Sequence, residues 1–165
     1  MQIRLAETAG FCFGVERAVA LAEQTARTCK NAVTLGPIIH NRHVVERFER
    51  LGLHEISSAE EAEPGQTVVI RAHGIPVSEQ CMLSARGAAA VDATCPFVKK
   101  IHVIAQKAER DGRSLLIIGT PTHPEVAAIA SYSSDAHVFQ TAEALQAWLT
   151  ERPDRRDLPF CMVSQ

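Results

Sequence analysis

Five short apolar runs, each followed by a turn and then by residues at helical spacing, leave this chain few folds. The runs at 32–35, 67–70, 89–91, 115–118 and 136–139 are rich in Val, Ile, Leu and Ala, the pattern of short strands buried on both faces. Between them, apolar residues recur on single helical faces: Val15, Val19, Ala22 and Ala26, then Val44, Val45 and Leu51, then Val98, Ile101, Ile104, Ala105 and Ala108. Further helices are expected around 77–86, 126–131 and 141–149, and SSAEEAEPG at 57–65 reads as a solvated connection or short surface helix. Strands that alternate with helices pair in parallel, so the expected class is α/β with parallel sheet. The last apolar stretch, 158–163, follows the charged loop ERPDRRD and has no helix after it. The chain therefore reads as interrupted within its second α/β unit.

Charge narrows the partners. Seventeen basic and 19 acidic residues are mixed along the 165, for a formal net charge of -2, and the few aromatic residues do not interleave with basic clusters. Neither a nucleic-acid surface nor an acidic tail is expected. No apolar run approaches the roughly 20 residues of a membrane span, and MQIRLAETAG lacks the apolar stretch of a secretory signal. A cytoplasmic protein with no membrane partner is expected. Five cysteines at wide, irregular spacing do not read as a disulfide framework.

One device occurs three times. A strand is followed by a Gly/Pro-rich turn carrying a histidine, and a helix comes next: TLGPIIHN with His40, VIRAHGIP with His73 and IIGTPTHPEV with His123. A lone loop histidine is ordinarily solvated, but three in equivalent turns fall where open α/β sheets place their ligands, beyond the carboxyl ends of strands. Imidazole N–H groups together with free helix-start amides suit an anion, most naturally a phosphate or diphosphate. Glu125, two residues after His123, is placed to act as a general acid beside that anion. His43, His54, His102 and His137 lie in helical or ordinary loop contexts and receive no role.

The cysteines divide similarly. Cys29, Cys81 and Cys161 are expected as small buried hydrophobes. Cys95 directly precedes Pro96, a residue favoured at the first helical position, and Cys12 precedes a helix starting near Val15. Both should stand at helix N-termini, where the backbone field favours an anionic ligand atom or nucleophile. Gly10 and Gly14 would permit close approach of the backbone. Phe11 and Phe13 favour an apolar, water-poor setting for Cys12. Zinc sites ordinarily show close CxxC pairs, which are absent here, and a Cys-His acyltransferase or thiol hydrolase needs one activated cysteine rather than two. On the residues alone, iron-sulfur ligation, zinc ligation and covalent catalysis all stay open.

AGFCFGVERAV, LGPIIHN, IRAHGIP, VDATCPFVKKIH and THPEV, in this order across essentially the whole chain, resemble the 4-hydroxy-3-methylbut-2-enyl diphosphate reductase (LytB/IspH) family. The resemblance implies a trefoil of three similar α/β domains. This chain would hold the first, residues 1–95 with the N-terminal cluster-ligand segment, and an incomplete second, 96–165, the third being absent. It also implies reductive removal of the hydroxyl from an allylic diphosphate, giving isopentenyl and dimethylallyl diphosphate, the last step of the non-mevalonate isoprenoid pathway. Electrons would come from ferredoxin or flavodoxin through a 4Fe-4S cluster held by three cysteines. Cys12 and Cys95 match the first two cluster ligands, His40, His73 and His123 the histidines around the substrate diphosphate, and Glu125 the proton-delivering acid. The third cysteine, and the threonine, serine and asparagine residues that complete the family's pocket, have no match here. The alternative is therefore an inactive remnant, or an anion-binding module without a stable cluster. Around THPEVAAIASYS, Thr122 and residues 127–130 replace the glycine before the histidine and the Gly-Thr after the valine that the family usually carries.

Overall fold

In the computed structural model, which describes every residue except Met1, Leu5 and Thr8, the β-branched runs form the strands and their order sets the site. The first unit runs through α1 (Phe13–Thr28), β1 (Ala32–Leu35), α2 (Arg42–Arg50), β2 (His54–Ile56), β3 (Thr67–Ile70), α3 (Val77–Ala85) and β4 (Ala89–Asp92). The second runs through α4 (Pro96–Arg110), β5 (Ser114–Ile118), α5 (Pro124–Ala130), β6 (Ala136–Phe139), α6 (Ala142–Glu151) and β7 (Phe160–Ser164). One sheet has the order β2-β1-β3-β4 and the other β6-β5-β7. Every strand pair is parallel, as the strand–helix alternation predicts.

Sheet register explains the burial. Alternate residues of a strand point to opposite faces, and in the first sheet both faces are apolar. Ala32 and Val69 enter one core with Ala18, Ala22 and Phe48, while Val33, Leu35, Val68 and Ile70 enter the other with Ile75 and Leu83. The second sheet packs Leu115 and Ile117 against Ala105 and Ala108 of α4 and Val126 and Ile129 of α5. Full burial of each large aliphatic contributes about 1.5–3 kcal/mol, so these layers carry most of the stabilisation.

Several local expectations shift. The three-residue β2 escapes the periodicity reading because two of its residues are exposed at the sheet edge. On α2 the core anchors are Val44 and Phe48, whereas Leu51 is exposed. On α4, Ile104 faces outward and His102 is buried in its stead. The 57–65 connection holds one short 3-10 turn at Ala59–Glu61, fixed by a capping box between Ser58 and Glu61. Among the described residues, no helix is long and apolar enough to cross a membrane.

The two sheets are joined at α3. Val77 N–H donates to Ser131 Oγ at 3.0 Å, Gln80 Nε2 donates to the Tyr132 hydroxyl at 2.9 Å, and the Tyr132 ring lies 4.9 Å from that of His102. This joint points the carboxyl ends of β1, β3 and β5 at one region.

Candidate functional site

Each histidine of the recurring device is held by its turn. Asn41 caps α2 by accepting from Val44 N–H, which fixes the chain just after His40. After β3, Ala72 N–H donates to Ile38 O at 3.2 Å, tying the His73 turn to the His40 turn. His123 itself caps α5: its Nδ1 accepts from Glu125 N–H at 3.2 Å, with Pro124 in the first helical turn. The three rings meet although one comes from the other sheet. Centroids lie 4.9 Å apart for His40 and His73, 5.2 Å for His73 and His123, and 6.4 Å for His40 and His123.

One ligand nitrogen from each ring lies within 4.8 Å of the others, a spacing at which three imidazoles could share a metal ion. The same nitrogens can also serve as hydrogen-bond donors to an anion. Because His123 Nδ1 accepts, its neutral ring carries the proton on Nε2, which makes that nitrogen a donor. Among the described residues, His73 Nδ1 is buried without a partner. Burial, then the neighbouring His40, His123 and Arg71, push the His73 pKa from 6.5 down to about 4, so its ring is neutral at neutral pH. Glu125 is shifted the other way: burial raises its carboxyl pKa, against the opposing pull of His123. A carboxyl pushed upward next to a cluster of donors is suited to giving up a proton.

The cysteines lie beside this cluster. Cys12 is the N-cap of α1 and Cys95 the N-cap of α4, and neither side chain is used for capping. Gly14 lies so close to Cys95 that a Cβ there would stand 2.4 Å from the thiol sulfur. Arg17 holds the same contact by donating to Thr94 O at 3.1 Å and to Asp92 O at 3.4 Å. Cys95 N–H donates to Ala72 O at 2.9 Å, so the Cys95 segment is tied to the His73 turn by backbone. Neither Cys12 nor Cys95 spends its sulfur on a helix cap, so both thiols have the chemistry of soft metal ligands.

Not every site expectation holds. Phe11 and Phe13 are 48% and 62% exposed and Cys12 is exposed, so these rings do not build the water-poor enclosure expected of them. Among the described residues, nothing lies near where a Cβ on Gly10 would be, and of these two glycines it is Gly14 that makes the close approach. Cys81 is exposed on α3 rather than buried, whereas Cys29 and Cys161 are half-buried against the cores. His102 went unassigned in the sequence yet is 6% exposed, with its Nε2 unpartnered among the described residues and its Cε1 2.6 Å from where a Cβ on Gly74 would lie. The only sequence hint was its place on the otherwise apolar face of α4. Arg71 was missed too, since it reads as an ordinary charge at a strand end.

Three imidazoles, a carboxyl and two thiols beyond the ends of parallel strands place the chain among α/β proteins, whose ligands bind at strand ends. Residues 3–165 match the family model described as LytB protein, and the chain belongs to that family. Among relatives, the 4-hydroxy-3-methylbut-2-enyl diphosphate reductase of Nitratiruptor sp. is 40% identical over 147 residues, covering 88% of this chain and 52% of its own length. The enzyme of the same name from Nitratidesulfovibrio vulgaris is 43% identical over 169 residues, covering 100% and 58%. A solved (E)-4-hydroxy-3-methyl-but-2-enyl diphosphate reductase, the terminal enzyme of the non-mevalonate pathway, superposes with a TM-score of 0.80 at 38% identity over 99% of this chain and 57% of its own. The Plasmodium falciparum reductase gives 0.80 at 25% identity over 96% and 49%. The chain thus spans about half the length of the relatives it matches.

Proposed function

We propose that this chain forms the diphosphate-binding and proton-delivering part of a 4-hydroxy-3-methylbut-2-enyl diphosphate reductase. The observation that carries the reading is the convergence of His40, His73 and His123 from the ends of two sheets, with Glu125 beside them. Imidazole N–H groups hold the diphosphate oxygens, His123 through Nε2–H and His73 by taking up a proton as the anion binds. Glu125 delivers a proton to the departing hydroxyl, which leaves as water in a reaction that consumes two electrons and two protons. Cys12 and Cys95 would hold two corners of a 4Fe-4S cluster, which when bound would supply those electrons, received from ferredoxin or flavodoxin. An anion-binding module without a stable cluster is the second reading, and the exposure of Cys12 favours it.

Calorimetry with inorganic diphosphate tests the anion site: His123→Ala should weaken binding about tenfold, the loss of one charge-assisted bond. Anaerobic reconstitution with iron and sulfide, followed by turnover assays, separates the two readings. Cys12→Ser and Cys95→Ser should each lower bound iron. Unchanged iron content would remove the ligand assignment, and diphosphate affinity unaffected by His123→Ala would remove the anion site.

A further inference from the structure

Arg71 stands between the two turns that carry His40 and His73 and contacts both. Its Nε donates to Gly74 O at 3.2 Å, one residue beyond His73. Its Nη1 packs so closely on Gly36, at the start of the His40 turn, that a Cβ there would lie 2.5 Å away. Gly36 and Gly74 have φ of 69° and 75°, values that L side chains rarely adopt; the guanidinium fills the space beside Gly36, while at Gly74, whose open side faces His102, it holds the carbonyl. The backbone bond from Ala72 to Ile38 forms one rung between the turns, and Arg71 forms a second from β3. A planar guanidinium can serve two contacts with fixed geometry, whereas a lysine ammonium is a point charge on a flexible stem.

We propose that Arg71 is a positioning residue of the anion site: its guanidinium clamps the β1 and β3 turns so that His40 and His73 face one ligand, and it places a permanent positive charge behind that ligand. This deepens the diphosphate reading and rests on it. Arg71 is also one of the groups that keep His73 neutral in the free protein, and a bound anion would offset its repulsion.

The test compares wild type, Arg71→Met and Arg71→Lys in two measurements. Imidazole nitrogen–proton NMR spectra of the ligand-free chain read the pose of His40 and His73. Calorimetry with inorganic diphosphate reads affinity. In the clamp, both variants shift the His40 and His73 signals while leaving His137 in place, and both weaken diphosphate about tenfold or more, as expected when the planar group that fixes both turns is lost. Should Arg71→Met fail to fold, Arg71→Lys carries the same comparison. Unmoved His40 and His73 signals in the variants overturn the clamp whatever the affinity, and so does full rescue of affinity by lysine, which would make charge alone sufficient. Absence of diphosphate binding by wild type would instead sink the anion reading, with the spectra still deciding the clamp.

Discussion

The first sheet is covered by apolar clusters on both faces, whereas the second has one apolar cluster among the described residues and a helix, α6, none of whose residues is buried. β1 and its interior counterpart β5 are both buried, β5 in all but its last residue, whereas the edge strand β7 of the second sheet exposes Met162 to 56%. Yet both sheets deliver a histidine to the site through the same strand–turn–helix device. The site therefore needs the turns at the strand ends more than it needs equal cores, and the weaker sheet holds its place through α3, Ser131 and Tyr132.

The largest expected effect breaks the comparison at its cores. Leu35→Ala and Leu115→Ala each remove a side chain that is at most 1% exposed, at about 2–5 kcal/mol. Hydrogen exchange should show Leu115→Ala releasing the amides of β5 to β7 while β1 and β3 stay protected, and Leu35→Ala releasing both sheets. Identical patterns from the two variants would mean that the sheets unfold as one unit.

A smaller effect is expected at the thiol pair. Gly14→Ala would drive a Cβ into the Cys95 thiol, costing about 1–3 kcal/mol and lowering iron uptake on anaerobic reconstitution. Uptake equal to wild type would show that α1 can withdraw from the thiol without loss.

The smallest effect is in pH dependence. His73 has a folded pKa of about 4 against an ordinary 6.5, so between those values the unfolded state binds more protons and stability falls as pH drops through the window. The penalty is complete below about pH 4 and absent above the ordinary value. Discounted for the partial exposure of His73, it should amount to about 2 kcal/mol. Glu125, with its raised pKa, works in the opposite sense, so the clean readout is the difference in denaturant midpoints between wild type and His73→Asn across this range. Parallel curves would place His73 in ordinary solvent.

Much of this was legible beforehand because its causes are local. Runs of Val, Ile and Leu at 32–35, 67–70 and 136–139 coincide with β1, β3 and β6, and Pro96 marks the start of α4 with Cys95 as its cap. The exposure of Phe11 and Phe13 was not legible, since an aromatic beside a glycine has the same local pattern inside or outside. Nor was His102, whose burial depends on Gly74 leaving room some thirty residues earlier in the chain.

By itself the sequence determined the parallel α/β class, the strand-end turns with their histidines, and the two cysteines at helix starts. Each follows from side-chain periodicity or from the backbone preferences of glycine and proline. Only the tertiary structure decided that His123 from one sheet would meet His40 and His73 from the other, that the Cys95 thiol would rest on Gly14, and that Arg71 would bridge two turns. Those contacts depend on how two sheets dock through α3 and α4, and docking is set by packing between residues far apart in the chain, which no local pattern records.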